Sequence, residues 1–421
     1  MNELDQGAFR FAPAPGEVQD LILRDGAISA LSFGVYRFWM NTHFRRLIWR
    51  RTTLAGDPFE YDGTALELAR GVFLAVLALS VVFLLFNFAL GYVGLALWDA
   101  WSPQASALLS ALAFTPILEF ARFGARRYRL RRTRWRGLRF GMNGSAGAFM
   151  RIWLKWALIM VLTLGLARPW LRVARERCMT EAMVYGDADF SFDGSARAIF
   201  MDWLRLWLAA VAAFAAYSII RRVHFGFVHD GARIDVMSFL VPLIGAGLIW
   251  FVFRFWCHYR AAELRLFMTA RRIKGVRISC DFNAKGLLRP AWATIGRAIV
   301  VGALLALLLF SFASLALRLA VAAEGADPAG FALSLDLSML GRFQSFGARA
   351  IFLGAAWLNY AATVLFLIWL WQAVWWPRVH GELMAATTAS GLSTLADVRQ
   401  RPAETAIGAE GFADALGVAG L

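Results

Sequence analysis

Residues 59–63 read FEYDG and residues 190–194 read FSFDG, nearly the same pentapeptide 131 positions apart. Other pairs keep the same separation. LSFG at 31–34 matches LTLG at 162–165, Trp39 matches Trp170, and Arg46 matches Arg177. Several matches in one register argue for internal duplication.

A shorter motif recurs inside that period. Gly56 through Gly63 resembles Gly137 through Gly144, Gly186 through Gly194, and Gly275 through Phe282. FRF at 9–11 reads as a further fragment, and WWPRVHGELMAATTASGLS at 375–393 as a degenerate last copy. A basic amphipathic helix precedes each full copy. The leading Gly is expected to cap that helix in the left-handed conformation. Phe-x-Tyr or Phe-x-Phe alternates as a short strand with one apolar face. Asp-Gly or Asn-Gly then turns the chain, with Asp or Asn capping the next helix. Asp62, Gly63, Asn143, Gly144, Asp193, Gly194 and Asp281 are the residues of this elbow, and several elbows could pair into a small sheet. The three aspartates also admit a cation-binding reading beside the turn reading.

What lies between the elbows is strongly apolar. The chain is 59% hydrophobic and 17% charged, with a mean hydropathy of +0.55, against roughly 45–50% apolar in soluble domains. Apolar runs occupy 66–97, 104–121, 197–220, 236–256, 294–320 and 348–375, each close to the ~20 residues that cross a bilayer as a helix. Two stretches, 26–39 and 156–170, are too short to span and read as re-entrant or interfacial. The expected fold class is an all-α polytopic transmembrane protein with about six spanning helices, two re-entrant or interfacial helical hairpins and short cytoplasmic β elbows. The repeats divide it into 1–137 (hairpin 19–50), 138–275 (hairpin 146–177), a degenerate 276–390 without a short hairpin, and a cytoplasmic tail, 391–421.

The formal net charge is +15, and 41 of the 44 basic residues are arginine. They flank the apolar runs, nine of them within 122–139. Positive-inside topology therefore places the elbows and both ends of the chain in the cytoplasm. The N-terminal stretch has neither the basic nor the apolar region of a signal peptide. Basic helices tethered beside long apolar spans favour anionic lipid over nucleic acid as their counter-charge. Arg126, Arg127, Arg131, Arg132, Trp135 and Trp170 are the expected lipid contacts. A protein partner or a second copy is also compatible with this basic face.

Charges at the edges of spans are costly and mark functional candidates. Glu67 with Arg70 and Asp202 with Arg205 are i, i+3 pairs at corresponding helix starts, while Arg151 and Lys155 share one helical face. These six are either neutralised pairs at the interface or steps of a solute pathway. No metal site or cofactor is expected. Cys178, Cys257 and Cys280 form no C-x-x-C, His224 and His229 lack ligand spacing, and no phosphate-binding, dinucleotide or zinc motif occurs. Nor does the sequence assemble a nucleophile–base set for an enzyme.

The run LTLGLARPWLRVARER leading to FSFDG, with its earlier copy LSFGVYRFWMNTHFRRLIWRRTTLAGDPFEYDG, resembles the YjgN/DUF898 family of bacterial inner-membrane proteins. The resemblance extends over roughly 9–390. It implies an inner-membrane location and repeated cytoplasmic elbows, and brings no catalytic residue with it. Phe38 departs from the pattern, standing where Pro169 stands in the second copy. The leading functional expectation is a transporter or channel-like protein for a small solute or lipid, with the hairpins as gates. The alternative is a membrane scaffold or accessory subunit acting through the basic cytoplasmic face.

Overall fold

A computed structural model describes residues 6–97, 103–229, 237–323 and 345–400. In chain order these form β1 (Gln6–Phe11), α1 (Glu17–Leu31), α2 (Arg37–Arg51), β2 (Thr52–Leu54), β3 (Asp57–Tyr61), α3 (Ala65–Leu97) and α4 (Pro103–Arg131). There follow β4 (Thr133–Trp135), β5 (Leu138–Met142), α5 (Ala146–Leu162), α6 (Arg168–Glu181), β6 (Met183–Tyr185) and β7 (Ala188–Phe192). Then come α7 (Arg197–His229), α8 (Met237–Thr269), β8 (Arg271–Ile273), β9 (Val276–Cys280), α9 (Lys285–Ala323), α10 (Phe346–Ile368), a π-helical turn at Trp369–Trp375, α11 (Trp376–Ala385) and β10 (Thr387–Ser390).

The all-α expectation is overturned. The ten strands close into one antiparallel barrel, β1-β10-β9-β8-β7-β6-β5-β4-β3-β2. The motif predicts one strand per elbow, but each full copy is a β-hairpin. A three-residue strand, hidden at the end of the basic helix, precedes the Phe-x-Phe strand, so Leu54 pairs with Asp57, Trp135 with Leu138, Tyr185 with Ala188, and Ile273 with Val276. Gly56 and Gly137 are left-handed, as their motif required, but they sit in the two-residue hairpin turn and not at a helix cap. Ala55 and Gly56 have φ of 53° and 90°, and Arg136 and Gly137 have 48° and 76°. Two successive positive φ values match the twist of a tight hairpin. Closure follows from the physics of edges, because strands of three to six residues have unpaired backbone on both sides until the ring is complete.

The fifth hairpin has no turn. It is made by the two ends of the chain, with Gly7 opposite Ala389. Its equivalence to the others is visible in one backbone bond per unit. Asp62 N–H donates to the Arg132 carbonyl (2.9 Å), Asn143 to Ala182 (2.7 Å), Asp193 to Ala270 (3.0 Å), Asp281 to Ala386 (2.9 Å) and Ala12 to Arg51 (3.1 Å). The helices join the strands at the end of the barrel opposite the hairpin turns.

The first aromatic of the motif points into the barrel. Phe59 stacks on Trp135 at 6.2 Å, and Phe140 packs against Tyr185 at 4.8 Å and Phe190 at 6.5 Å. Leu392, Leu395 and Val398, just beyond β10, join this core. Residues 401–421 of the expected tail lie outside the described residues.

The chain divides into two compact units. The first comprises residues 6–12, Arg45–Leu288 and 381–400, and holds the barrel with α3 to α8. The second comprises Pro13–Phe44 and Arg289–His380. In it the α1–α2 hairpin packs on α10, with Phe33 against Trp357 at 5.0 Å and Phe44 edge-on to Trp376 at 5.4 Å. Leu317, Ala320 and Val321 of α9 meet Ala348 and Phe352 of α10 in a small apolar cluster.

All six apolar runs are helical over their described residues. Among these residues four helices are long and apolar enough to cross a membrane: Arg197–Arg222, Leu240–Thr269, Lys285–Ala323 and Phe346–Ala385. The four helices make this a membrane protein.

Candidate membrane-facing site

The two short apolar stretches fold as helical hairpins whose tips share one geometry, 131 residues apart. At one tip Phe33 and Gly34 have φ of 54° and 84°; at the other Leu164 and Gly165 have 51° and 88°. A non-glycine residue in the left-handed region is strained. Here the strain turns a large apolar side chain outward: Phe33 and Leu164 are each 80% exposed. Leu162, Val161 and Leu158 continue this exposed surface down α5, as Leu31 and Val35 do around the first tip.

At the second tip the polar backbone is paired within the protein. Gly165 N–H donates to the Met160 carbonyl at 2.7 Å and Leu166 N–H to Thr163, while Ala167 N–H donates to the Thr163 hydroxyl. The carbonyls are covered from α7. Trp203 Nε1 donates to the Gly165 oxygen and Trp207 Nε1 to the Leu164 oxygen, each at 3.0 Å. In the first hairpin the Ser32 hydroxyl takes the place of Thr163, accepting from Tyr36 N–H and donating to the Ser29 carbonyl. A turn whose polar backbone is internally paired while its side chains are bare and apolar can enter hydrocarbon without stranding a polar group. Trp203 and Trp207 lie six and ten residues into α7, so the tip reaches about 9–15 Å along that helix at 1.5 Å per residue.

Arg151 and Lys155 are exposed on α5, nearer the barrel than the apolar tip. Of the other predicted site residues, Glu67, Asp202 and Arg205 are engaged. Glu67 accepts from Arg132 at 2.7 Å and from the Tyr128 hydroxyl at 3.0 Å. Asp202 pairs with Arg205 at 3.3 Å. Arg70 is exposed, and the structure does not bring these six charges into one site. Among the expected lipid contacts, Trp135 is buried in the barrel core, Trp170 packs on Phe200, Arg127 donates to the Met142 carbonyl, and Arg131 is half-buried.

The elbow residues split into several jobs. Asp62 binds Arg134 at 2.7 Å and Asp193 binds Arg272 at 2.9 Å, tying neighbouring hairpins. The helix caps fall two residues later, on Ser145, whose hydroxyl accepts from Ala148 N–H, and likewise on Thr64, Ser195 and Asn283. Gly63 and Gly194 are required by closeness: a Cβ there would lie 2.4 Å and 2.6 Å from the rings of Tyr61 and Phe192. Their carbonyls accept from Arg46 and Arg177.

Where the helices meet the barrel lie three buried carboxylates; sequence reasoning marks Glu119 as a charge at the edge of an apolar span but misses Glu176 and Glu263. Arg126 grips Glu176 with both terminal nitrogens at 2.9 Å, and Arg271 adds a third bond at 2.7 Å. Burial alone would raise the Glu176 carboxyl, but the two guanidiniums outweigh it and hold the group below the usual carboxylate range. Glu263 is held by Arg172 and Arg260, and Glu119 by Arg122 and Arg175. In the barrel, burial pushes the Tyr185 phenol up to about 12, and its hydroxyl donates to the Trp135 carbonyl. A lone Glu within a basic helix is the available signal, and in RVARER at 172–177 it reads as a solvated face.

Against known proteins, a family model described as "Bacterial protein of unknown function (DUF898)" matches residues 6–415. No curated protein and no solved structure matches the chain.

Proposed function

The chain belongs to the DUF898 family, and we propose that it is a membrane-surface platform. In this reading the spanning helices anchor the barrel against the cytoplasmic face of the inner membrane. The α5–α6 hairpin dips into the facing leaflet only, and Arg151 and Lys155 meet anionic headgroups there. Both ends of the described chain join the barrel, so both share its side. The platform holds lipid, or a protein partner, at that surface.

The observation that carries the reading is the α5–α6 tip, with bare Leu164 above carbonyls capped by Trp203 and Trp207. The gradient along α5 agrees with it, from cations near the barrel to apolar residues at the tip, the order in which a leaflet presents headgroups and chains. A carrier for a small solute asks Glu67, Asp202 or Lys155 to line a hydrated path. Glu67 and Asp202 are tied in ion pairs, and the barrel is filled with rings, which favours the platform.

Cysteine accessibility tests it. In a background without Cys178, Cys257 and Cys280, Lys274→Cys at a barrel turn should react with an impermeant maleimide only when the cytoplasmic side is open. Leu164→Cys should resist the reagent from both sides and, carrying a fluorophore, be quenched by lipids brominated on their acyl chains. Leu164→Cys labelling as fast as Lys274→Cys would end the proposal.

A further inference from the structure

We infer that the arginine cluster around Glu119 binds a phosphate group, most simply the headgroup phosphate of an anionic phospholipid. The lipid form of this inference rests on the platform reading and assigns it a ligand.

The argument begins with a charge count. Glu119 is buried and ion-paired to Arg122 and Arg175, with Arg172 close enough to act on it electrostatically. Arg172 also bonds Glu263, which is itself buried and shared with Arg260. Four guanidiniums therefore gather around two carboxylates between α4, α6 and α8, so these six groups sum to a positive charge, and Glu176, which also acts on Arg172, is itself shared by Arg126 and Arg271. Arginine does not lose its proton in a protein, so deprotonation cannot remove that charge. Partly buried positive charge in excess is costly, and a bound anion lowers the cost.

The donors to receive it are present. Among the described residues Arg175 bonds only through Nη1, at 3.3 Å to both oxygens of Glu119. Its Nε and Nη2 remain for a second acceptor, and a guanidinium fork matches a phosphate edge. Arg175 is only 16% exposed, while Arg122 beside it is 37% exposed and opens the cluster to the outside. Position fits a headgroup as well. Arg172 and Arg175 lie five and eight residues along α6 from its N-cap, Ala167, which follows the tip at Leu164 and Gly165. That is about 8–12 Å toward the barrel, on the headgroup side of the apolar tip in the platform reading. Basic pockets between helices on the cytoplasmic side are a known way of holding such groups.

The test uses the full chain in a neutral detergent, with thermal unfolding as the readout. Three additions are compared: dioleoylphosphatidylglycerol, dioleoylphosphatidylcholine and inorganic phosphate. The expected result is a rise of several degrees with phosphatidylglycerol and none with phosphatidylcholine. Arg175→Gln should weaken the response about tenfold, the loss of one charged hydrogen bond, and Arg277→Gln, at an exposed position of β9, should leave it intact. Glu119→Gln removes the competing carboxylate and should strengthen the response. That opposite sign keeps the inference testable if Arg175→Gln fails to fold. A matching rise with inorganic phosphate supports the site and assigns it to a free anion. No rise with either phosphate, or equal rises in the wild type, Arg175→Gln and Glu119→Gln, overturns it. The inorganic phosphate arm does not depend on hairpin depth, so this inference and the platform reading can fail separately.

Discussion

Arg126 on α4 and Glu176 on α6, fifty residues apart, are joined by two parallel 2.9 Å hydrogen bonds in the buried layer beneath the barrel. Arg271 at the start of β8 closes on the same carboxylate. One side chain thus fastens two helices and a strand, and its removal leaves two buried cations facing each other. Glu176→Gln should therefore cost about 3–5 kcal/mol, far more than a surface pair. Chemical unfolding in detergent measures it. A double-mutant cycle with Arg126→Met should recover part of the loss, since the second change deletes an uncompensated charge.

The same carboxylate sets an acid limit. Its folded pKa lies below the unfolded value because Arg126 and Arg271 outweigh burial. A depressed carboxylate contributes stability that is fully present above the unfolded pKa of about 4.3 and is lost as pH falls toward the folded one. Unfolding stability measured from pH 7 downward should be flat to about pH 5 and fall below it. In Glu176→Gln that particular decline should be missing, so the difference between the two proteins shrinks as acid is added.

How much of this is legible beforehand depends on distance along the chain. Phe-x-Phe-Asp-Gly is a local signal, and it locates β3, β7 and the elbows that follow them. The three-residue strands β2, β4, β6 and β8 have no such signal. Thr-Arg-Trp at 133–135 looks like the end of a basic helix, and it becomes a strand by pairing with Leu138 and Arg139 across the turn and with Phe59–Tyr61, more than seventy residues earlier. Closure of the ring depends on Gly7 meeting Ala389, which no window of sequence contains. Trp135 reads as a lipid contact for the same reason: its arginine neighbours alternate to the outside of the barrel while its ring goes in. Glu176 and Glu263 stay hidden because charge runs average out the one residue of opposite sign.

The tryptophan caps on the hairpin should be separable from its packing. Trp207→Phe keeps an aromatic ring but leaves the Leu164 carbonyl without its 3.0 Å donor. In an apolar surrounding an unpaired carbonyl costs about 1–3 kcal/mol. Amide hydrogen exchange over 159–167 should rise about tenfold or more in nanodiscs. In a tip bathed by water, solvent would replace the indole and the change would be slight; that result would count against the hydrocarbon setting.

Two glycines predict opposite signs. Gly194 lies in the elbow where a Cβ would sit 2.6 Å from the Phe192 ring and 3.1 Å from the Ala270 Cβ. Phe192 is buried against Phe267 and cannot swing away freely. Gly194→Ala should therefore strain the junction of β7 and α7 and cost about 1–3 kcal/mol. Gly147 is in the first turn of α5, where an added Cβ would meet nothing within 4 Å. There Ala removes backbone freedom from the unfolded chain and should stabilise by about 0.5–1 kcal/mol. Unfolding midpoints measured side by side decide the matter. Equal effects at both sites would mean that the ring contact at Phe192 does not constrain the elbow, and the reason given for glycine after the motif's aspartate would fall.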